Sequence, residues 1–493
     1  MSVAGASTGA ATGAATGAAA GAAAGALTGA ATGAAAAAVT APAAAAAAVT
    51  AGASAGAAKP PAASTVDTRR ERAMREDLAH IKLGAVLGSG SYSVVFEAFY
   101  ESGTRRSCAL KVLDGVFRDA EDARRLLREL RIVSQLNHPH IVKFLGVLPP
   151  KNPISYRTYS LLFERYDTML GTVLRGGQHL TKQHVQYLMY QLLQALAYVH
   201  ESGVIHADVK PANLLVNANC HLALCDFNLA RSVRMWELET IQTSWYRAPE
   251  VIIGEQLPGT AIDIWSAGCI FAELLRALEP ESAGALFPIV DKPQKQLRAI
   301  IEMLVESPDV SSIADPDTRA YLQHMIATRN KDRRTLCDEF ERFGPAAYAL
   351  LTRMLAFDSR YRPTARAILA DSYFDSMPAD YQMLHRYPAA MSAPAVDMSD
   401  IDHVAVLSEP CIRAGLNAYT ETHSAPPLQT RQPASAAPAS AAAPASALAP
   451  ATGHMCCDSC SDGSGSGSSA GRTFYKKRPS RTTVGGATAS ATP

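Results

Sequence analysis

The sequence predicts an α+β fold of two lobes, a small β-rich lobe followed by a larger helical one, with a cleft between them. Three observations carry this expectation. Between residues 80 and 166, short runs of β-formers alternate around glycines. From about residue 178 the pattern changes to long stretches of helical periodicity. Both ends of the chain are low in complexity, so the large apolar side chains needed for a core lie in the middle.

Composition sets the outer limits. The chain has 493 residues and a net charge of +1, from 46 Lys and Arg against 45 Asp and Glu. That balance gives no reason to expect nucleic acid or a membrane surface as the main partner. Residues 1–79 are expected as an Ala/Gly-rich disordered tail, with no charged side chain before Lys59. The tract lacks the basic start and leucine-rich stretch of a signal peptide. Residues 80–376 form the expected folded domain, and 377–424 an extension partly packed on it. Residues 425–493 read as a second disordered tail, rich in Ala, Pro, Ser and Gly. No window holds about 20 strongly apolar residues, so no membrane span is expected.

Cysteines at 108, 220, 225, 269, 337 and 411 are scattered, as free thiols in a reducing compartment would be, which suits a cytoplasmic or nuclear protein. Cys456, Cys457 and Cys460 follow His454 in "HMCCDSC". Adjacent cysteines in a Ser/Gly tail make a poor template for a closed zinc site, so a flexible, oxidisable segment is expected there. "YKKRPSRT" near the end reads as solvated charge, with a weak nuclear-import patch as the sharper alternative.

Taken in order, "HIKLGAVLGSGSYSVVFEAFY" predicts a strand, a tight glycine loop and a second strand. "RRSCALKVLDG" predicts a third strand. "DAEDARRLLRELRIVSQL" has helical periodicity and an acidic first turn. "PISYRTYSLLFERY" brings further strands. "TKQHVQYLMYQLLQALAYVHESG" and "AIDIWSAGCIFAELLRAL" are the long helices of the second lobe.

A set of polar residues runs through these elements. Gly88, Ser89 and Gly90 form a loop whose backbone N–H groups can approach a polyphosphate. A strand follows it where a dinucleotide fold would want a helix, and Ser93 stands where a third glycine is usual. Alone, such a hairpin is commonplace. Lys111 lies on the third strand and Glu129 about one helix further on; a lysine held by a glutamate can ground nucleotide phosphates. In "VIHADVKPANLLVNANCHLALCDFNLAR", Asp208 can accept a hydroxyl proton and Lys210 can neutralise a transferring phosphoryl group. Asn213 and Asp226 offer oxygen ligands to a hard cation such as Mg²⁺. Each residue has a bland reading as a turn, cap or surface charge. The ordered set matches the parts that phosphoryl transfer needs: positioning, metal, counter-charge and a weak base.

With these residues the sequence resembles a eukaryotic protein kinase. "SWYRAPE" and "DIWSAGCIFAELL" resemble the branch of cyclin-dependent and mitogen-activated kinases, the CMGC branch. "NHPHIVKFLGVLPP", "NLLVNANCHLALCDFNLAR" and "LTRMLAFDSRYRPTA" are most similar to mitogen-activated protein kinases. The resemblance covers residues 80–376. It implies a bilobal kinase fold and transfer of phosphate from ATP, with Mg²⁺, to serine or threonine of protein substrates. By the same resemblance Leu87, Gly88, Ser89, Gly90, Val95 and Ala109 surround the nucleotide, and Lys111 pairs with Glu129. Phe163 is the gatekeeper, and the backbone from Glu164 to Tyr166 meets adenine. Asp208 is the base, Lys210 contacts the γ-phosphate, and Asn213 and Asp226 hold the metal. Glu250 and Arg362 form a buried pair, and Asp263 braces the catalytic loop. Arg247 favours Ser/Thr-Pro sites.

Three departures bear on control. Ala207 stands where most relatives carry an arginine that clamps an activation-loop phosphate. Leu238, Glu239 and Thr240 replace Thr-x-Tyr, and Ser244 replaces a further arginine. The device that reads loop phosphates is therefore expected to be lost as a unit, with Glu237 or Glu239 supplying fixed charge and Thr240 a single candidate phosphosite for an upstream kinase. Asn228 replaces the glycine after Asp226-Phe227; asparagine is the next most tolerant residue of a positive φ, so a stiffer metal-binding segment with Asp226 still in place is expected, and a segment locked inactive is the sharper alternative. The rival reading is a nucleotide-binding pseudokinase or scaffold, against which stands the presence of lysine, base and metal ligands together.

Overall fold

The computed structural model describes residues 68–90, 93–100, 107–234, 243–254, 259–288, 292–304, 308–311, 313–378, 395–397 and 409–428. Glu237, Glu239 and Thr240, the Cys456–Cys460 cluster and "YKKRPSRT" lie outside the described residues.

The small lobe is a five-stranded antiparallel sheet in the order β1-β2-β3-β5-β4. Its strands are β1 (Leu83–Ser89), β2 (Ser93–Phe99), β3 (Ser107–Asp114), β4 (Phe144–Leu148) and β5 (Thr158–Glu164). Burial on β2 and β3 alternates residue by residue, as the pleat requires. One face carries Val94, Phe96, Leu110 and Val112, all buried, and the other carries Lys111 toward the cleft. Burying a side chain such as Phe96 contributes about 1.5–3 kcal/mol.

Helix α1 (Thr68–Asp77) covers the outer face through Met74, aided by Leu78 just beyond its end. It begins inside the stretch that composition assigned to a tail. Its charged sequence, TRRERAMRED, buries too few apolar residues to stand out beside the alanine tract. Helix α2 (Ala120–Gln135) follows β3. Asp119 caps it by accepting from the Glu121 N–H at 3.1 Å, and Glu121 and Asp122 lie in the positive first turn.

A short strand β6 (Thr168–Met169) and helix α3 (Leu170–Arg175) lead into the helical lobe. Its axis is α4 (Lys182–Glu201), opened by a Thr181–His184 capping box and buried along most of its length. Next come β7 (Val204–Ile205), β8 (Leu214–Val216), β9 (Leu222–Leu224) and β10 (Arg231–Ser232), short strands that carry the loops of the cleft. The remaining helices are α5 (Pro249–Ile253), α6 (Ala261–Arg276), α7 (Pro293–Met303), α8 (Pro316–Ala327), α9 (Leu336–Phe340), α10 (Pro345–Met354) and α11 (Ala365–Ile368). Helix α6 packs against α4 and α10 with Trp265 and Phe271 fully buried.

The chain then returns to the small lobe. Val396 N–H donates to Ser202 O at 3.0 Å, and Arg131 of α2 grips Asp397 at 2.8 and 2.9 Å. Helix α12 (Glu409–Thr422) packs along α2 and β4, with Ile412 and Leu416 fully buried. Beyond it, Val147 exchanges backbone hydrogen bonds with His423 and Ala425, and Tyr100 bridges to Leu428. Leu428, which composition placed in the second tail, is buried in the outer core with Met74 and Phe96.

Candidate active site

The register of the sheet lines up the first group of predicted residues. Lys111 stands between Val95 on β2 and Leu161 on β5, and Ala109 stands opposite Phe163. Phe163 is buried against Phe144, with ring centres 5.7 Å apart. At the end of β5, Glu164 N–H donates to Lys143 O at 3.0 Å, and Tyr166 stacks on His221. Lys111 Nζ lies 2.7 Å from Glu129 Oε1 on α2 and 2.7 Å from Asp226 Oδ1. Burial alone would push the lysine pKa down, but Asp226 and Glu129 outweigh it and hold it above the ordinary value. Asp226 is held below the usual carboxylate range because Lys111 outweighs its burial. Burial pushes Glu129 up, and its Oε2 is buried without a hydrogen-bond partner among the described residues.

The second group sits between β7 and β9. Ala207 takes a left-handed φ of 62°, which turns the chain so that the next residue, Asp208, faces the cleft. Asp263 at the start of α6 holds this turn: its Oδ1 accepts from Ala207 N–H and its Oδ2 from His206 N–H, both at 2.9 Å. Asp208 Oδ2 accepts from Lys210 Nζ at 2.7 Å and from Asn213 Nδ2 at 3.0 Å. Its Oδ1 accepts from Thr243 Oγ1 at 2.7 Å, and that hydroxyl takes a bond from Lys210 at 2.9 Å. Cys225 N–H donates to Asn213 O at 2.9 Å, which sets Asn213 beside Asp226.

The donor set suits a hard cation held partly by phosphate. Asn213 gives its amide nitrogen to Asp208, so its amide oxygen is the group left to offer a metal. Among the described residues no cluster of three His, Cys, Asp or Glu could hold a metal unaided. Mg²⁺ commonly takes one or two protein ligands, the number Asn213 and Asp226 could offer, and completes its shell with phosphate and water. The glycine loop suits the phosphates. Neither Gly88 nor Gly90 has a positive φ; among the described residues a Cβ on Gly88 would meet nothing within 4 Å, and one on Gly90 only Ser93 at 3.9 Å. The protein's own packing does not demand glycine there, whereas close approach of a ligand does.

A protein-family model described as "Protein kinase domain" matches residues 81–374. Mitogen-activated protein kinase 5 of Oryza sativa subsp. indica is 37% identical over 295 residues, covering 59% of this chain and 77% of its own length. This chain belongs to the protein kinase family. Mitogen-activated protein kinase 6 of Arabidopsis thaliana is 35% identical over 294 residues, covering 59% of this chain and 72% of the relative. Mitogen-activated protein kinase 8 of Oryza sativa subsp. japonica is 38% identical over 312 residues, 61% of this chain but only 52% of that relative. The chain is thus a protein serine/threonine kinase of the mitogen-activated type, within the CMGC branch. Such kinases use ATP and a divalent metal and act on proteins. No described helix is long and apolar enough to cross a membrane.

In this kinase the sequence-predicted residues fall into two hydrogen-bonded groups, Lys111–Glu129–Asp226 and Asp208–Lys210–Asn213. Glu250 and Arg362 meet as a buried pair at 2.5 and 2.7 Å. Thr243 was not singled out for the site, because a lone threonine in a loop has no pattern of its own. The tolerance of asparagine for a positive φ is not used at Asn228. The left-handed residue of its segment is Asp226, at φ 66°, and Asn228 lies inside a single 3₁₀ turn, Phe227–Leu229, closed by Ala230 N–H to Phe227 O at 3.1 Å. Its Oδ1 is buried without a hydrogen-bond partner among the described residues.

Proposed function

We propose that this chain is a proline-directed kinase that phosphorylates Ser/Thr-Pro sites without needing dual phosphorylation of its activation loop. The observation that carries the loop part is the brace of the catalytic turn. Asp263 holds residues 206 and 207 by their backbone N–H groups, so the geometry of Asp208 does not depend on the side chain at 207. An alanine there removes a phosphate receptor and leaves the base in place. The proline preference rests on Arg247 in "SWYRAPE" and on the likeness to mitogen-activated kinases.

In this reading Asp208 orients the substrate hydroxyl and takes its proton, while Lys210 offsets charge on the phosphoryl group in flight. Lys111, fixed by Glu129, binds the α- and β-phosphates. Leu87, Val95, Ala109, Phe163 and the backbone at 164–166 enclose adenine, and Gly88, Ser89 and Gly90 cover the phosphates. Asn213 and Asp226 hold Mg²⁺, which neutralises phosphate charge when bound. The free thiols of Cys108, Cys220, Cys225, Cys269 and Cys337 suit a cytoplasmic or nuclear setting.

The test is transfer of labelled phosphate by phosphate-free protein made in bacteria, on a peptide array pairing Ser/Thr-Pro with Ser/Thr-Ala. Transfer with a gain from proline is expected, and Asp208→Asn should lose about 100-fold or more. Inert protein that an upstream kinase revives would sink loop independence. Indifference to proline would remove the specificity. Nucleotide binding without transfer would favour a pseudokinase.

A further inference from the structure

Helix α1 reaches the glycine loop through its arginines. Arg70 Nη1 donates to Gly90 O at 3.2 Å, and its Nε lies 3.6 Å from Asp114 Oδ2 at the end of β3. One turn on, Arg75 Nη2 donates to Gly84 O at 3.3 Å, and its guanidinium lies 4.7 Å from the centre of the Phe96 ring. Glu71 fixes Arg75 from the same helix at 2.8 Å. The base under Arg70 is firm. Asp114 is buried, and Arg157 binds both its oxygens at 2.6 and 3.0 Å, with Arg118 3.6 Å away.

Gly90 is where the hairpin turns: its N–H donates to Ser93 O at 2.8 Å. Ser93 occupies the place of a third loop glycine, so this loop is built with less intrinsic freedom than three glycines would give. An outside donor on the Gly90 carbonyl restrains it further. We propose that Arg70 is a positioning residue for nucleotide binding: it ties the Gly90 carbonyl to the Asp114 carboxylate and so holds the loop over the polyphosphate. The proposal rests on the kinase reading of the cleft. The tie is solvent-exposed at Gly90 and weakens with salt.

The test compares wild type, Arg70→Ala, Arg70→Lys and Arg118→Ala in the full chain. Arg118 shares Asp114 as its partner, and among the described residues none of its contacts reaches the loop. The readouts are the Kd of a fluorescent ADP with Mg²⁺, KM for ATP, kcat and thermal midpoint. Arg70→Ala is expected to weaken Kd and raise KM by about three- to five-fold with kcat within about two-fold, the range an exposed charged tie supports. Arg70→Lys should recover part of the loss, and Arg118→Ala should leave Kd at the wild-type value. A merely structural role would lower the thermal midpoint of both alanine variants and leave Kd alone, which overturns the proposal. So would equal losses of affinity in Arg70→Ala and Arg118→Ala. A wild-type chain that binds no nucleotide overturns the kinase reading and this proposal with it, whereas wild-type binding that Arg70→Ala leaves unchanged overturns only this one.

Discussion

Asp263 Oδ1 accepts the backbone N–H of Ala207 at 2.9 Å, while its other oxygen holds His206 N–H and lies 2.9 Å from His200 Nε2. A carboxylate with no exposure thus serves as an acceptor for the whole turn. Asp263→Asn would set an amide NH₂ against one of these donors. The expected cost is about 1–3 kcal/mol of unfolding free energy, with reduced kcat. Ala207→Gly should stay within about 1 kcal/mol of wild type, because glycine accepts the left-handed φ freely. Chemical denaturation of both variants checks the pair; equal losses would point to the side chain at 207 and away from the brace.

Lys111 separates two carboxylates, Glu129 and Asp226, each at 2.7 Å. Lys111→Met removes the cation and leaves both anions facing each other in a buried place. Phosphoryl transfer is expected to fall by about 100-fold or more. Steady-state kcat/KM measures it, and near-wild-type turnover would dismiss the assigned role.

Arg362 meets Glu250 through two bonds, with its guanidinium 5.0 Å from the centre of the Trp265 ring, and both side chains are almost wholly buried. Arg362→Met should cost about 3–5 kcal/mol, because Glu250 is left charged and unpaired. Adding Glu250→Leu should return much of that loss. A double variant no more stable than the single one would show that the pair matters for packing rather than charge.

His138 is buried, and burial pushes its pKa down to about 3, while the free ring takes up its proton near 6.5. The folded chain therefore binds fewer protons than the unfolded chain between those values. Its contribution to stability is complete above pH 6.5 and is lost as pH falls, at about 1.4 kcal/mol per pH unit. His138→Gln is expected to flatten the unfolding free energy against pH between about 6 and 4 by up to one proton. Parallel curves for variant and wild type would contradict this.

Gly146 has a φ of 137°, and a Cβ there would lie 2.7 Å from Ala425 Cα and from His423 O. Gly146→Ala should cost about 1–3 kcal/mol and speed protease cleavage within 409–428. Gly177, at φ 63° with nothing within 4 Å of a Cβ among the described residues, is the control, expected to lose about 1 kcal/mol when changed to alanine and to keep the segment protected. Equal protease sensitivity in the two variants would refute the steric argument.

Much of the candidate site's arrangement was legible in the letters, because phosphoryl transfer restricts both the type and the order of the groups it would need. Lys111, Glu129, Asp208, Lys210, Asn213 and Asp226 each have few chemical substitutes, and the register of the sheet and the turn at 207 bring them within hydrogen-bond reach. Thr243 was invisible for the opposite reason: many threonines look like it, and only the packing of the helical lobe carries its hydroxyl to Asp208. At Asn228 the letter shows only tolerance of a positive φ; it could not show that the 3₁₀ turn puts the positive φ at Asp226 instead. Helix α1 and Leu428 were hidden by composition. A window dominated by alanine, or by Ala, Pro and Ser, masks the single Met74 or Leu428 that finds a place in the core.

The bridges from Tyr100 to Leu428 and from Val147 to Ser424 give the chain an unusual order of assembly. Domains made on a ribosome tend to fold from the N-terminus forward. Here the first lobe to be translated cannot complete its outer core until residue 428 has emerged from the exit tunnel, after the entire helical lobe. Synthesis that stops before residue 409 would release a kinase domain with β4 and the back of α2 bare, a substrate for chaperones and proteases.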